Sequence, residues 1–136
     1  MEITLDLAQQ LCQAACTRAA GLGALVSVAV VDAGGHLVAF ARMDGAEIAG
    51  PVLAPDKAYT AVAHRIATAD LTALVAPGGP LQGMHAAAGG RFVCFGGGLP
   101  LWSAGRVVGG IGVSGGTVDE DVACATAAAT LWPTPA

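Results

Sequence analysis

The chain has 136 residues, 54% hydrophobic and only 12% charged, with a formal net charge of −4. That is too apolar for a disordered chain, and no Lys/Arg cluster supplies the basic face a nucleic-acid binder needs. No apolar run reaches the roughly 18–20 residues needed to cross a bilayer, and the acidic start at Glu2 and Asp6 is unlike a cationic secretory signal, so one cytoplasmic domain over residues 1–136 is expected.

Thr4 is placed to cap a first helix, with Leu7, Leu11, Ala15 and Ala19 recurring every four residues and Gly21 and Gly23 to end it. Cys12 and Cys16 lie one turn apart on that helix, a spacing unlike the CxxC of zinc or redox sites. With Cys94 and Cys124 they read as buried structural thiols. Residues 26–31 are small and β-branched, a strand buried on both faces. Asp32-Ala33-Gly34-Gly35 is turn chemistry, and 37–43 continues as the second strand of a hairpin. A second helix is expected from about residue 51 or 55 to 67, and a short third over 69–75 with Thr68 as its cap. Pro77-Gly78-Gly79-Pro80 stops it, and 81–90 reads as a surface loop. Three short strands follow at 91–95, 99–103 and 106–114, separated by Gly96-Gly97-Gly98 and Ala104-Gly105. Thr117 and Glu120 form a capping box for the last helix. Val118, Val122, Ala125 and Ala129 give its apolar stripe, and Pro133 and Pro135 end it. Two strand sets separated by helices imply an α/β chain with an antiparallel sheet and helices packed on it. A core of small side chains leaves much weakly polar surface, so the expected partner is a second copy of the chain in a homo-oligomer.

Gly110-Ile111-Gly112-Val113-Ser114-Gly115 matches G-x-G-x-x-G but does not read as a dinucleotide site. Asp119, Glu120 and Asp121 in the following first turn would repel phosphate, and no second parallel strand follows. The glycines instead let this strand pass close to a neighbour or a ligand. Lys57, Thr60 and His64 are spaced i, i+3, i+7, so they share one helical face. The stripe is either a solvated face or a cation, a hydroxyl and an imidazole in line to bind a carboxylate or move a proton. Lys57 is the only lysine in the chain. Asp32 is a turn-former or a carboxylate at the edge of a cleft. His36 sits at the hairpin tip, Arg42 and Asp44 can pair at the strand end, and His85 lies in a Gly-flanked loop where it is exposed or serves as a ligand. Three histidines without a HxxxH or HxH pair do not preform a metal site, and a serine-hydrolase triad has no support.

Several blocks carry a resemblance: Val28-Ala29-Val30-Val31-Asp32-Ala33-Gly34-Gly35, Arg42-Met43-Asp44, Lys57-Ala58-Tyr59-Thr60-Ala61, Phe95-Gly96-Gly97-Gly98-Leu99-Pro100-Leu101, and 108–116. In order and over nearly the whole chain they resemble the GlcG/HbpS family, which includes the C-terminal domain of PduO-type proteins. The resemblance implies a profilin-like α-β-α sandwich with a five-stranded antiparallel sheet, usually assembled into dimers or larger rings. It also implies haem as a candidate cofactor. Haem-binding members place a His near the first helix. Residues 1–35 hold none here, so a haem iron would need His36, His64, His85, Cys12 or Cys16.

Three functional expectations follow. The first is a small ligand, with haem, bound or degraded, among the candidates, held between the sheet and the second helix. Gly97, Gly112 and Ser114 would line the site, and Thr60, Arg42 and His85 would contact the ligand. The second is a cofactor-free isomerase, cyclase or hydrolase for a small organic acid or carbonyl compound. There Lys57 would hold an anionic substrate, with Asp32 or His64 as acid–base partner. The third is a structural assembly protein with no pocket.

Overall fold

A computed structural model describes residues 2–132, so Pro133 and Pro135 lie outside the described residues. Helix α1 (Leu5–Leu22) starts where the Thr4 hydroxyl accepts the Leu7 N–H at 3.2 Å and ends where Gly23 turns left-handed at φ 71°. Strands β1 (Ser27–Asp32) and β2 (Leu37–Arg42) form the expected hairpin. Helices α2 (Gly50–His64) and α3 (Thr68–Val75) follow, then two 3-10 turns at Met84–Ala86 and Ala88–Gly90. Strands β3 (Gly98–Ser103) and β4 (Arg106–Ser114) form the second hairpin, and helix α4 (Val118–Ala129) closes the described chain with both bonds of its capping box formed. The sheet order is β2-β1-β4-β3, antiparallel throughout.

Strand alternation sorts the core into layers. Val28 and Val30 of β1 and Ile111 and Val113 of β4 face one way and pack with Ala8, Leu11, Ala15 and Ala19 of α1 and Ala125 and Ala128 of α4. Ser27, Gly110 and Gly112 face the other way, against α2. Helices therefore cover both faces, which is why β1 is buried on both.

The sheet has four strands among the described residues, not five. The expected strand at 91–95 does not form, because its backbone groups are met by threonine side chains on the helices. Val93 N–H donates to the Thr60 hydroxyl at 3.0 Å, and the Thr72 hydroxyl donates to the Cys94 carbonyl at 2.7 Å. Gly98 N–H donates to the Thr68 hydroxyl at 2.9 Å. Thr68 is thus not the cap of α3. Ala67 holds that position without a side-chain bond, and the Thr68 hydroxyl is used by β3 instead.

The buried side of α4 is also turned from the expected stripe. Val118 is exposed, and Asp121, Cys124, Ala125 and Ala128 are buried. On α2 the stripe of Lys57 and Thr60 faces inward rather than into solvent.

Candidate functional site

Lys57 is the largest side chain with no solvent exposure. Its stem runs from α2 past the end of the sheet, and Nζ donates to the Val113 carbonyl at 2.9 Å and to Asp121 Oδ2 at 3.1 Å. Asp121 Oδ1 accepts the Gly116 N–H at 2.9 Å. The amine lies 4.9 Å from the centre of the Phe95 ring, and a Cβ on Gly97 would lie 2.8 Å from it, so a glycine is needed there. Gly97 has φ 130°, a conformation that also favours glycine. Burial pushes Lys57 below and Asp121 above their ordinary pKa ranges, and the attraction between them opposes both shifts. The pair joins the two helical layers. A buried charge left alone is costly, so each residue holds the other in place.

Asp121 was hidden within the run Asp119-Glu120-Asp121, which reads as a first turn favoured by the helix dipole. Its position four before Ala125 and seven before Ala128 places it on the core stripe, and that spacing was the available signal.

The glycines of β4 do not open a crevice. A Cβ on Gly112 would collide with the Ala54 carbonyl of α2, and one on Gly110 would lie 2.9 Å from the Ala58 carbonyl. The bare backbone lets helix and strand approach closely, and α2 fills the space.

The remaining candidates are scattered. The Thr60 hydroxyl is spent on the Asp56 carbonyl at 2.6 Å and on Val93 N–H. Ser114 is buried at the Lys57 end, paired across the sheet with Ser27, whose buried hydroxyl has no partner. Asp32 pairs with Gly109, while Val28 pairs with Val113. Asp32 therefore sits four residues along β1 from the row that holds the Lys57 amine, roughly 13 Å. His64 stacks edge-on against Phe92 at 4.5 Å, with Nε2 buried and unpartnered. Neither acid–base candidate meets Lys57, whose recorded hydrogen bonds run to Val113 and Asp121. Arg42 is exposed and reaches the Ala46 carbonyl at 3.4 Å rather than Asp44, and His85 is exposed in a 3-10 turn.

Asp32 does lie at the edge of a cleft. Its Oδ1 accepts the Gly34 and His36 N–H groups at 2.9 Å and stands 3.2 Å from His36 Nδ1. The His36 backbone bond is the main reason its carboxyl is held below the ordinary value. A cavity of about 620 Å³ opens there between the two hairpins. A groove of about 650 Å³ lies elsewhere, between α1 and α4, where Ala14, Gly21, Ala127 and Leu131 supply apolar surface and Arg18 the one cation.

A family model described as haem-degrading protein HbpS-like matches residues 3–130. The chain belongs to the HbpS-like family. A crystal structure of a PduOC–haem complex superposes with TM-score 0.92 at 40% identity, covering 96% of this chain and 94% of that one. HbpS of Streptomyces reticuli, as a double mutant, superposes with TM-score 0.88 at 33% identity, covering 98% and 88%. The corrinoid adenosyltransferase PduO of Citrobacter freundii is 42% identical over 122 residues, 90% of this chain but 36% of that protein. This HbpS-like chain thus spans about a third of that curated relative.

Haem is the group this family raises. The described residues fit its ring better than its iron. The usual axial ligands are His, thiolate, Met and Tyr, and none lines the α1–α4 groove, whose polar groups are Gln10, Gln13, Thr17 and Arg18. Cys12 and Cys16 share α1, but burial pushes the Cys12 thiol up to about 12 and raises that of Cys16, so neither is a ready thiolate. The residues do not fit an iron-ligated haem in this groove.

Proposed function

We propose that this HbpS-like chain is a small-ligand-binding protein. Its ligand is a flat, apolar, carboxylate-bearing molecule of the haem class, held by ring system and acid groups in the groove between α1 and α4. The observation that carries this reading is the groove itself. It is a shallow, open groove of ligand size, its surface is mainly apolar, and its single cation, Arg18, is of the type that matches a carboxylate. The haem complex of PduOC supports the ligand class. Self-association is part of the proposal, supported by exposed Ile48, Val52, Leu37 and Phe40. Light scattering coupled to gel filtration tests it, and a monomer at all concentrations removes it.

The ligand reading is tested by titrating haemin and metal-free protoporphyrin IX, following absorbance and fluorescence. Both are expected to bind with similar affinity, and Leu131→Glu, which sets an acid against the ligand's carboxylates and the apolar ring, to abolish binding of both. Saturable binding of neither ligand defeats the reading. Binding of haemin alone defeats the claim that the ring and acids hold it.

A further inference from the structure

At the end of the sheet away from Lys57, the tips of both hairpins meet the C-terminus of α2. Beside the 620 Å³ cavity lies a smaller hollow of about 270 Å³, and the two share Ala33, Arg106 and Val107. The smaller hollow is lined further by Arg65, Trp102, Val62 and Gly105, with no acid among its lining residues. Neither arginine has a carboxylate within 4.0 Å among the described residues. The chain has only six Lys and Arg together, so two arginines without an acidic partner lining one small hollow concentrate positive charge there.

Two further observations point the same way. Trp102 is 43% exposed, a large indole left half in solvent in a chain with few aromatics. Arg65 ends α2 in the left-handed region at φ 56°, a conformation that disfavours ordinary residues and that glycine adopts freely. The larger cavity is lined in addition by Glu2 and Asp32, which supply negative charge. The two adjoining hollows therefore differ in charge: the smaller has Arg65 and Arg106 and no acid, and the larger has Arg106 with Glu2 and Asp32.

We infer that the smaller hollow binds a small planar carboxylic acid, with Arg65 and Arg106 taking the carboxylate and Trp102 the flat face. Arginine suits a carboxylate because its fork matches the two oxygens, and an indole offers a surface on which a planar group stacks. The volume, just under the usual range for drug-sized ligands, limits the occupant to about one ring. Glu2 and Asp32 make the larger cavity less favourable than the smaller hollow for an acid group. The site is separate from the α1–α4 groove and does not depend on it.

The probe is benzoate, with neutral benzamide and inorganic phosphate as controls, followed by NMR shifts of the Trp102 indole and the Arg106 amide. Benzoate is expected to saturate at roughly millimolar concentration, ahead of both controls. Arg106→Ala and Arg65→Gly, the latter suited to φ 56°, should each weaken it at least tenfold without lowering the thermal midpoint, since each removes a charged hydrogen-bond donor to the carboxylate. Trp102→Leu should weaken benzoate but not phosphate. Benzoate binding no better than benzamide overturns the site. So do unchanged affinities in both arginine variants. Phosphate binding as tightly as benzoate overturns the planar-acid assignment.

Discussion

Where β4 runs into α4, Lys57 and Asp121 have lost their water and spend their charges on each other. At the hairpin tips, Arg65, Arg106, Asp32 and Glu2 line hollows open to solvent. Both ends gather chemistry-bearing residues, and only one leaves them free to meet a ligand. Burial forces a charge to find a partner inside the protein, so a buried pair marks a joint between layers. An exposed charge keeps its water and can exchange it for a ligand.

Three measurements press on this contrast. The largest effect is expected from Asp121→Ala, which strands the Lys57 ammonium and should cost about 3–5 kcal/mol in urea unfolding. Replacing both partners by Lys57→Met and Asp121→Leu should recover most of it. A loss for Asp121→Ala below about 1 kcal/mol would break the picture of a buried joint. Next comes Gly112→Ala, whose methyl meets the α2 backbone and should cost about 1–3 kcal/mol. A neutral result would show that α2 can move off the strand and that a crevice is available after all.

The smallest effect belongs to the open end. Asp32 has its pKa lowered, chiefly by the His36 N–H, so its contribution to stability is present above the ordinary value of 3.8 and is lost as pH falls through the lowered one. Asp32→Asn should therefore lower the urea midpoint slightly at pH 7 and flatten its decline below about pH 4, where variant and parent converge. An equally steep acid decline in the variant would remove Asp32 from the turn's energetics.

Local chemistry made most of the fold legible. The Thr4 cap, the Gly23 terminus, the Asp32 turn and the Thr117–Glu120 box all involve residues within a few positions of one another, so sequence spacing carries them. The fifth strand failed because residues 91–95 had β-like composition but met threonines on α2 and α3 before any neighbouring strand. The α4 stripe failed because an acid counted as polar, although a partner 64 positions away made it a core residue.

The sequence by itself determined the class of fold, the order of the helices and of the four strands that form, the hairpins and the singularity of Lys57, because these follow from periodicity, turn chemistry and composition. Only the tertiary structure decided that the β4 glycines admit a helix rather than a ligand. It also decided that Lys57 answers to Asp121 rather than to Asp32 or His64, and that Arg65, Arg106 and Trp102 share a hollow. Those facts depend on which distant residues the sheet order brings within a few ångströms, and spacing along one chain carries no such information.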